Sequence, residues 1–580
     1  MRLDKDQERA VAYEGDLICV AGPGSGKTRT IVSKIVYLLK KHEEGLIGAV
    51  TYTKNAASET NNRIMELYPN ASSRLMSGTF HSLAGRQLRN AGIKYRVAKD
   101  GEINYFVRSV IEKLQIDDEI EDVKNNIALI KSRIKPPKMG DMNYELYIEY
   151  ENLLKKNNVY DYSDIIINAT NGMKNGKVRC LPIRWLLVDE YQDSDPIQYE
   201  WIITQAKIGN TEVTVVGDDD QSIYAWRSAM GYEGIKQFRK DNDAEQILLS
   251  TNYRCGKKIL EKALNLIAYN TDRVSKPIKA FEGNPDGVVD YYIAQDRISE
   301  AELVRDLIIK DPKGWAILAR TNRLLDEIEI VLNLASIPVN RISGDGFWDQ
   351  EGSQMILQLC NTIANNKWFG LSHFLNNFKC SVEQIEILHA WLGKKPCTKW
   401  EFGKRRKGVP DVVNEYFPTG DMNSQESLKL IKLISEWSIL EKEKFTDLVL
   451  LGISTWAEDY APKRFRSSCR AASNSILKLK GSLLSRVQFI EGLIDKKLIS
   501  ENDVNLVTLH SSKGMEFDNV AIIAVEQGNC PSLKNIQLEE ERRLAYVGFT
   551  RAKKRLVITR TIELSESIFI QEAGLTVNFS

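Results

Sequence analysis

The sequence predicts an α/β protein made of two parallel-sheet units, each interrupted by a mainly helical insertion. Three observations carry this. Short apolar runs at Leu17–Ala21, Gly48–Thr51, Trp185–Val188 and Val213–Val216 are bounded by Gly, Asp and Thr, as strands buried on both faces are. The pattern restarts after Lys276-Pro277, with Gly287–Ile293 and Trp315–Ala319 around a helix from Ser299, and returns at Val504–Leu509 and Val520–Ala524. Between these blocks the spacing is helical: Ile120, Val123, Ile127, Ile130 and Ile134 recur at three and four residues, and Pro136-Pro137 ends the run. The expected division is 1–87 and 181–275 for the first unit with 88–180 inserted. The second unit is expected at 276–350 and 500–580, with 351–499 inserted.

With 580 residues, 43% hydrophobic and 27% charged, the chain has the composition of a soluble globular protein of several domains. The net charge of +1 supplies no overall field for a polyanion, so a nucleic-acid partner needs local basic surfaces. Lys394, Lys395, Lys399, Lys404, Arg405, Arg406 and Lys407 form one such group; Lys463, Arg464, Arg466 and Arg470 form another. A solvated charged face fits each group equally well. Eight scattered cysteines with no CxxC pair predict reduced thiols in a cytoplasmic protein and argue against zinc or iron–sulfur ligation. No N-terminal signal region and no membrane-spanning apolar run is expected.

The segment AGPGSGKT, Ala21–Thr28, follows a strand and opens a helix near Lys27. In that context Gly22, Gly24, Ser25 and Gly26 would turn backbone N–H groups onto phosphates, Lys27 would reach the β- and γ-phosphates, and Thr28 would hold Mg²⁺. The predicted ligand is therefore ATP with Mg²⁺. In WLLVDEYQD, Trp185–Asp193, a buried strand ends in two acids. Asp189 would help hold the metal, and Glu190 would position and deprotonate water. Arg254 in TNYRC and Arg551 in YVGFTRAKKRL are candidates for the positive charge that γ-phosphate hydrolysis needs, although spacing alone equally allows surface arginines. GDDDQSIYAWR, Gly217–Arg227, joins three carboxylates to Tyr224, Trp226 and Arg227. The acids suggest a metal cluster and the aromatics a surface for stacking bases. Trp226 fits a core position equally well.

Read together, these segments resemble the UvrD/Rep family of superfamily-one DNA helicases. The resemblance is carried by Leu3–Gln7, AGPGSGKT, VTYTKNAAS (Val50–Ser58), GTFHSLAGRQLR (Gly78–Arg89), VYDYSDII (Val159–Ile166) and LLVDEYQDSDPIQ. It continues through VVGDDDQSIYAWRSA, TNYR (Thr251–Arg254), WAILARTN (Trp315–Asn322), VTLHSSKGMEFDNV (Val507–Val520) and EEERRLAYVGFTRAKKRL (Glu539–Leu556), in family order. It implies two RecA-like P-loop domains that sandwich ATP and track single-stranded DNA 3′→5′. It also implies that Gln7 reads the adenine between Arg29 and Tyr253, that Glu516 meets the ribose beside Gly514, and that Gln221 senses the γ-phosphate. Arg254 and Arg551 are implied to contact that phosphate from opposite sides. Tyr52, His81, Tyr224, Trp226, Arg227 and His510 are implied DNA contacts. With magnesium assigned to Thr28 and Asp189, Asp218–Asp220 are expected to shape a turn and the acidic floor of the cleft.

Some features depart from the family pattern. Ala21 replaces the first glycine of the phosphate loop, Thr53-Lys54-Asn55 inverts an Asn-Lys order, and 351–499 shows no recognisable match and no helix–hairpin–helix signature. The basic run Lys404–Lys407 is a candidate substitute for a duplex grip. The chain is also expected to lack a partner-recruiting tail and a nuclease signature. A DNA helicase acting at single-/double-strand junctions is the first reading. A DNA- or nucleotide-sensing ATPase regulating a partner nuclease in antiphage defence is the second, and an RNA motor the third.

Overall fold

The computed structural model describes residues 3–365, 430, 433–434, 436–495, 503–532 and 537–578. Six parallel strands form a first sheet: β1 (Leu17–Ala21), β2 (Leu46–Thr51), β3 (Leu75–Thr79), β4 (Ile183–Val188), β5 (Glu212–Gly217) and β6 (Glu245–Leu249). Their order is β3-β2-β4-β5-β1-β6. Two short strands, β7 (Thr251–Asn252) and β8 (Lys279–Ala280), pair by themselves. A second parallel sheet contains β9 (Val288–Ala294), β10 (Trp315–Ala319), β11 (Val339–Arg341), β12 (Val504–Thr508), β13 (Phe517–Ile522) and β14 (Ala552–Thr561), in the order β11-β12-β10-β13-β14-β9.

Strand alternation explains the layers. Leu17, Cys19 and Ala21 of β1 face one apolar cluster and Ile18 and Val20 the other, so helices cover both sides of the sheet. In β10 the same rule sends Trp315, Ile317 and Ala319 one way and Ala316 and Leu318 the other. Six strands escaped the apolar-run criterion, the two-residue β7 and β8 among them. β3 (LMSGT) and β6 (EQILL) are only partly buried edge strands, β11 has three residues, and β14 begins with the charged AKKR.

Packing shifts three sequence-based assignments. Helix Lys257–Ile267, expected with the first unit, buries Ile259, Leu260, Ala263, Leu266 and Ile267 in the second unit's core. Helix Tyr162–Lys174, expected in the first insertion, packs Ile165, Ile166, Ala169 and Met173 onto the first sheet. The inserted helices have their own core, which runs from Ala98 to Val159. The periodic run stops at Lys131, and Ile134 is 51% exposed.

Lys131 explains where that helix ends. Its ammonium lies 2.6, 2.8 and 2.6 Å from Glu151, Asp161 and Asp164, with 1% of the side chain exposed. Asp161 and Asp164 also cap helix Tyr162–Lys174. The cluster thus locks the insertion to the first sheet, and Ser132 adds a 2.7 Å hydrogen bond to Ser228. In the second insertion, helices Glu351–Asn365, Thr446–Tyr460, Arg466–Leu477 and Leu483–Asp495 share a core through Met355, Ile453, Trp456 and Ile476. Lys394, Lys395, Lys399 and Lys404–Lys407 lie outside the described residues. Among the described residues, six cysteines are free and no helix is long and apolar enough to cross a membrane.

Removing Lys131 leaves three carboxylates facing one another out of water. Lys131→Met is expected to destabilise this junction by about 3–5 kcal/mol, read as an earlier first transition in a thermal scan. Unchanged melting would contradict the structural role given to the cluster.

Candidate functional site

The loop after β1 is built by backbone constraint. Gly24 (φ 61°) and Gly26 (φ 79°) lie in the left-handed region that favours glycine. A Cβ on Gly24 would sit 2.6 Å from Arg254 Cβ, and one on Gly26 would sit 2.8 Å from Gln7 Nε2. Ser25 is buried and donates to the Gly22 carbonyl at 2.9 Å. Helix Lys27–Lys41 starts at Gly26 without a side-chain cap, so its first-turn N–H groups remain available to an anion. Gln7 belongs to a capping box with Asp4 and donates to the Ser25 carbonyl at 2.9 Å. Lys34, buried against Ala10 O (3.0 Å) and Tyr13 O (2.5 Å), fixes the far end of that first helix.

Thr28 Oγ1 lies 3.4 Å from Asp189 Oδ2 at the end of β4. A hydroxyl beside a buried carboxylate is an oxygen donor pair suited to a hard divalent cation. Burial and the neighbouring Glu190 raise the Asp189 pKa. Glu190 goes the other way: burial opposes ionisation, but Lys27, Lys513 and a 2.6 Å hydrogen bond from Gln192 outweigh it. Two adjacent acids are thereby split into different protonation tendencies. Glu190 also has φ 51°, a strain of about 1–3 kcal/mol that tends to collect at functional positions.

The second unit closes over this loop. Asn252 Nδ2 donates to the Pro23 carbonyl at 2.6 Å, and its side-chain oxygen Oδ1 accepts from the N–H groups of Arg254 and Cys255. Tyr253 N–H donates to the Gly24 carbonyl at 2.9 Å, and its hydroxyl reaches Asp4. Its ring is 37% exposed beside the half-buried Arg29. Arg254 Nε donates to Glu516 at 2.9 Å, and Lys553 holds the other Glu516 oxygen at 2.7 Å. Gly514 (φ 85°) turns the chain into this corner and borders open space.

Arg551 is 1% exposed, and among the described residues its hydrogen bonds go only to neutral acceptors: the carbonyls of Val547 and Met515, the Thr550 hydroxyl, and Gln221 Oε1 at 3.2 Å. Burial and the nearby Arg254 depress its pKa to about 9. An arginine this destabilised would be stabilised by an incoming anion.

On the other side of Gln221 the side chains form an open platform. Tyr52 and Tyr224 stack with ring centroids 6.1 Å apart and planes 4° apart; Trp226 stands edge-on to Tyr224 at 6.5 Å. Arg227 lies 4.3 Å over Trp226, and Lys513 lies 5.0 Å over Tyr224. Trp226 is 47% exposed, which rules out the core alternative. His81 is set apart, edge-on to the exposed Tyr162 at 5.7 Å. His510 occupies the turn after β12, and no ring contact joins either histidine to this platform among the described residues.

The triple aspartate is neither a metal cluster nor a cleft floor. Asp218, Asp219 and Asp220 are fully buried, and Lys276 Nζ sits among them at 2.7, 2.6 and 2.8 Å, where a cation would bind. Arg273 forms a bidentate pair with Asp220. Sequence reasoning also passed over Asn252, Tyr162 and Lys513. Lys513 contacts both Asp193 carboxylate oxygens, at 2.7 and 2.6 Å, and the Gln221 carbonyl at 2.8 Å. All three lie inside quoted motifs, but their roles depend on contacts between distant segments.

Burial, with help from Arg320 and Lys513, lowers the His510 pKa to about 4. A histidine depressed on folding destabilises the folded state as pH falls from its ordinary value toward the depressed one. Stability is therefore expected to drop between pH 6.5 and about 4, and less steeply in His510→Asn. Titration of the His510 ring near pH 6.5 in an NMR experiment would contradict this.

Two family profiles match the chain. The UvrD/REP helicase N-terminal domain matches 3–243, and the UvrD-like helicase C-terminal domain matches 247–386 and 468–563. The second match includes 351–386 and 468–499, parts of the insertion in which the sequence alone showed no resemblance. The chain is similar to DNA helicase II of Haemophilus influenzae, 29% identical over 616 residues, covering 96% of this chain and 83% of the relative. It is also similar to the ATP-dependent DNA helicase PcrA of Staphylococcus epidermidis and of Staphylococcus aureus, 28% identical over 617 residues with the same coverage. With a phosphate loop, an acid pair and a buried arginine in one cleft, and both halves matched, the chain belongs to the UvrD/Rep family of DNA helicases.

Proposed function

We propose that this chain is an ATP-dependent motor that moves 3′→5′ along single-stranded DNA and separates duplexes at single-/double-strand junctions. The observation that carries the reading is Arg551. A buried guanidinium with only neutral acceptors meets Gln221, and six residues on from Gln221 the same loop has ended in the Tyr224–Trp226–Arg227 platform. That arrangement suits a cleft whose missing charge is a phosphate and whose occupancy is reported to bound DNA.

In this reading the backbone of Gly22–Gly26 and the Lys27 ammonium bind the ATP phosphates. Gln7, Arg29 and Tyr253 hold the base, and Glu516 beside Gly514 meets the ribose. Thr28 and Asp189 would hold Mg²⁺, which supplies charge neutralisation at the phosphate oxygens. Glu190 orients water and takes its proton. Gln221, Arg254 and Arg551 stabilise charge at the γ-phosphate. For Arg254 and Arg551 this means exchanging the protein acceptors they now hold, so nucleotide binding and the closing of the second unit onto the first are coupled. Tyr52, Tyr224 and Trp226 offer faces to bases regardless of sequence, with Arg227, His81 and His510 along the strand.

The family resemblance supports the polarity, and strand displacement tests it directly. Duplexes with a 3′ single-stranded tail are expected to be unwound and those with only a 5′ tail left intact. Unwinding from the 5′ tail alone would refute the polarity, and absence of both unwinding and DNA-stimulated hydrolysis would refute the motor. Glu190→Gln is expected to bind ATP normally while turnover falls by roughly 10²–10⁴-fold. Normal turnover would remove its role as base.

A further inference from the structure

The acids at the start of the GDDDQSIYAWR loop have a use that neither metal binding nor turn formation describes. Asp218 is fully buried and divides its two carboxylate oxygens between different tasks. Oδ1 accepts from Lys276 Nζ at 2.7 Å and from the Asp220 N–H at 3.2 Å. Oδ2 accepts from Gln221 Nε2. The other end of the Gln221 carboxamide, Oε1, accepts from Arg551 Nη2 at 3.2 Å. Guanidinium and ammonium groups only donate, and an ionised carboxylate only accepts. The two ends of Gln221 are therefore not interchangeable: nitrogen faces Asp218 and oxygen faces Arg551.

We propose that Asp218 is a positioning residue for ATP hydrolysis, fixing the Gln221 carboxamide so that its oxygen, not its nitrogen, is presented to Arg551 and the cleft. The proposal rests on the assignment of Gln221 to the γ-phosphate side of an ATPase. Its consequence is that the Gln221 oxygen is presented at the cleft as an acceptor, able to hold the arginine or a water proton, while its nitrogen is held by Asp218 through one of its two N–H donors. Lys276 sets the polarity of the relay. It lies on the segment that follows helix Lys257–Ile267 of the second unit, so Lys276, Asp218, Gln221 and Arg551 form a chain that leaves the second unit and returns to it.

An asparagine at 218 inverts the relay. Its one oxygen is claimed by Lys276 and the Asp220 N–H, so its NH₂ faces Gln221. Gln221 must then turn its own oxygen toward residue 218 and set its NH₂ against Arg551, donor against donor. Asp219 provides the control. It is as buried, and it accepts from Lys276 at 2.6 Å and from the Val274 N–H at 2.6 Å, but it does not touch Gln221.

The test measures ATP hydrolysis by the full chain with saturating oligo(dT), together with ATP KM and thermal melting, for wild type, Asp218→Asn and Asp219→Asn. The expected result is a fall in kcat of about tenfold to a hundredfold in Asp218→Asn with KM within about twofold. Asp219→Asn should melt earlier by a similar margin but keep kcat within about twofold. Asp218→Glu keeps the charge facing Lys276 but displaces the carboxylate from Gln221. It is expected to lose kcat like Asp218→Asn, and it carries the test if the asparagine variant does not fold. Equal losses of kcat in the 218 and 219 variants, in step with their melting, would reduce the cluster to a structural element and overturn the proposal. So would an unchanged kcat in a folded 218 variant. A wild-type chain with no oligo(dT)-stimulated hydrolysis would instead overturn the motor reading on which the proposal rests.

Discussion

Arg551 is withdrawn from water, satisfied only by neutral oxygens, and paired across the cleft with the side chain of Gln221. Burying a charge with no carboxylate in direct contact is unfavourable unless hydrogen bonds surround it; Glu190 is near enough to favour the charged form, and every hydrogen bond is supplied by a motif residue or its neighbour. The requirement shapes the surrounding structure. The helix ending at Phe549 must present Val547 and Thr550, the turn after β12 must present Met515, and the loop after β5 must reach across with Gln221. An anion in the cleft relieves the imbalance, so the resting protein is already biased toward a phosphate ligand.

The loop carrying Gln221 leaves the first sheet at Gly217 but does not belong to that sheet's core. Ile223 is buried in the second unit's apolar cluster, the Ala225 N–H donates to Glu540 at 2.9 Å, and Lys276 and Arg273 bind its three acids. A segment covalently part of one unit and packed into the other must respond when the units move relative to each other. Because Tyr224 and Trp226 are on the same short segment, that response is delivered to the stacking platform without an intervening element.

Much of this was legible in the sequence, for identifiable reasons. β1 and β10 were found to the residue because strands buried on both faces leave uninterrupted apolar runs. The glycine-rich turn after β1 and the acid pair ending β4 were legible as local structure because left-handed backbone positions call for glycine and a strand buried on both faces leaves an apolar run up to Asp189–Glu190. What could not be read depends on distant contacts. Helix Lys257–Ile267 has an ordinary amphipathic pattern whichever sheet it covers. Asp218–Asp220 look like a cation site until Lys276, more than fifty residues away, is seen to fill it. Trp226 is equally acceptable as core or platform until its exposure is known.

The central claim is that one loop links the state of the nucleotide cleft to the strand platform through Gln221. Binding of a non-hydrolysable ATP analogue and of a dT oligonucleotide, each titrated with and without the other, measures that linkage as a coupling factor that must be equal in both directions. The wild-type chain is expected to show a coupling of about fivefold or more. Gln221→Ala should bring it close to one, with the oligonucleotide alone binding as before. A coupling in Gln221→Ala equal to that of the wild type would contradict the account.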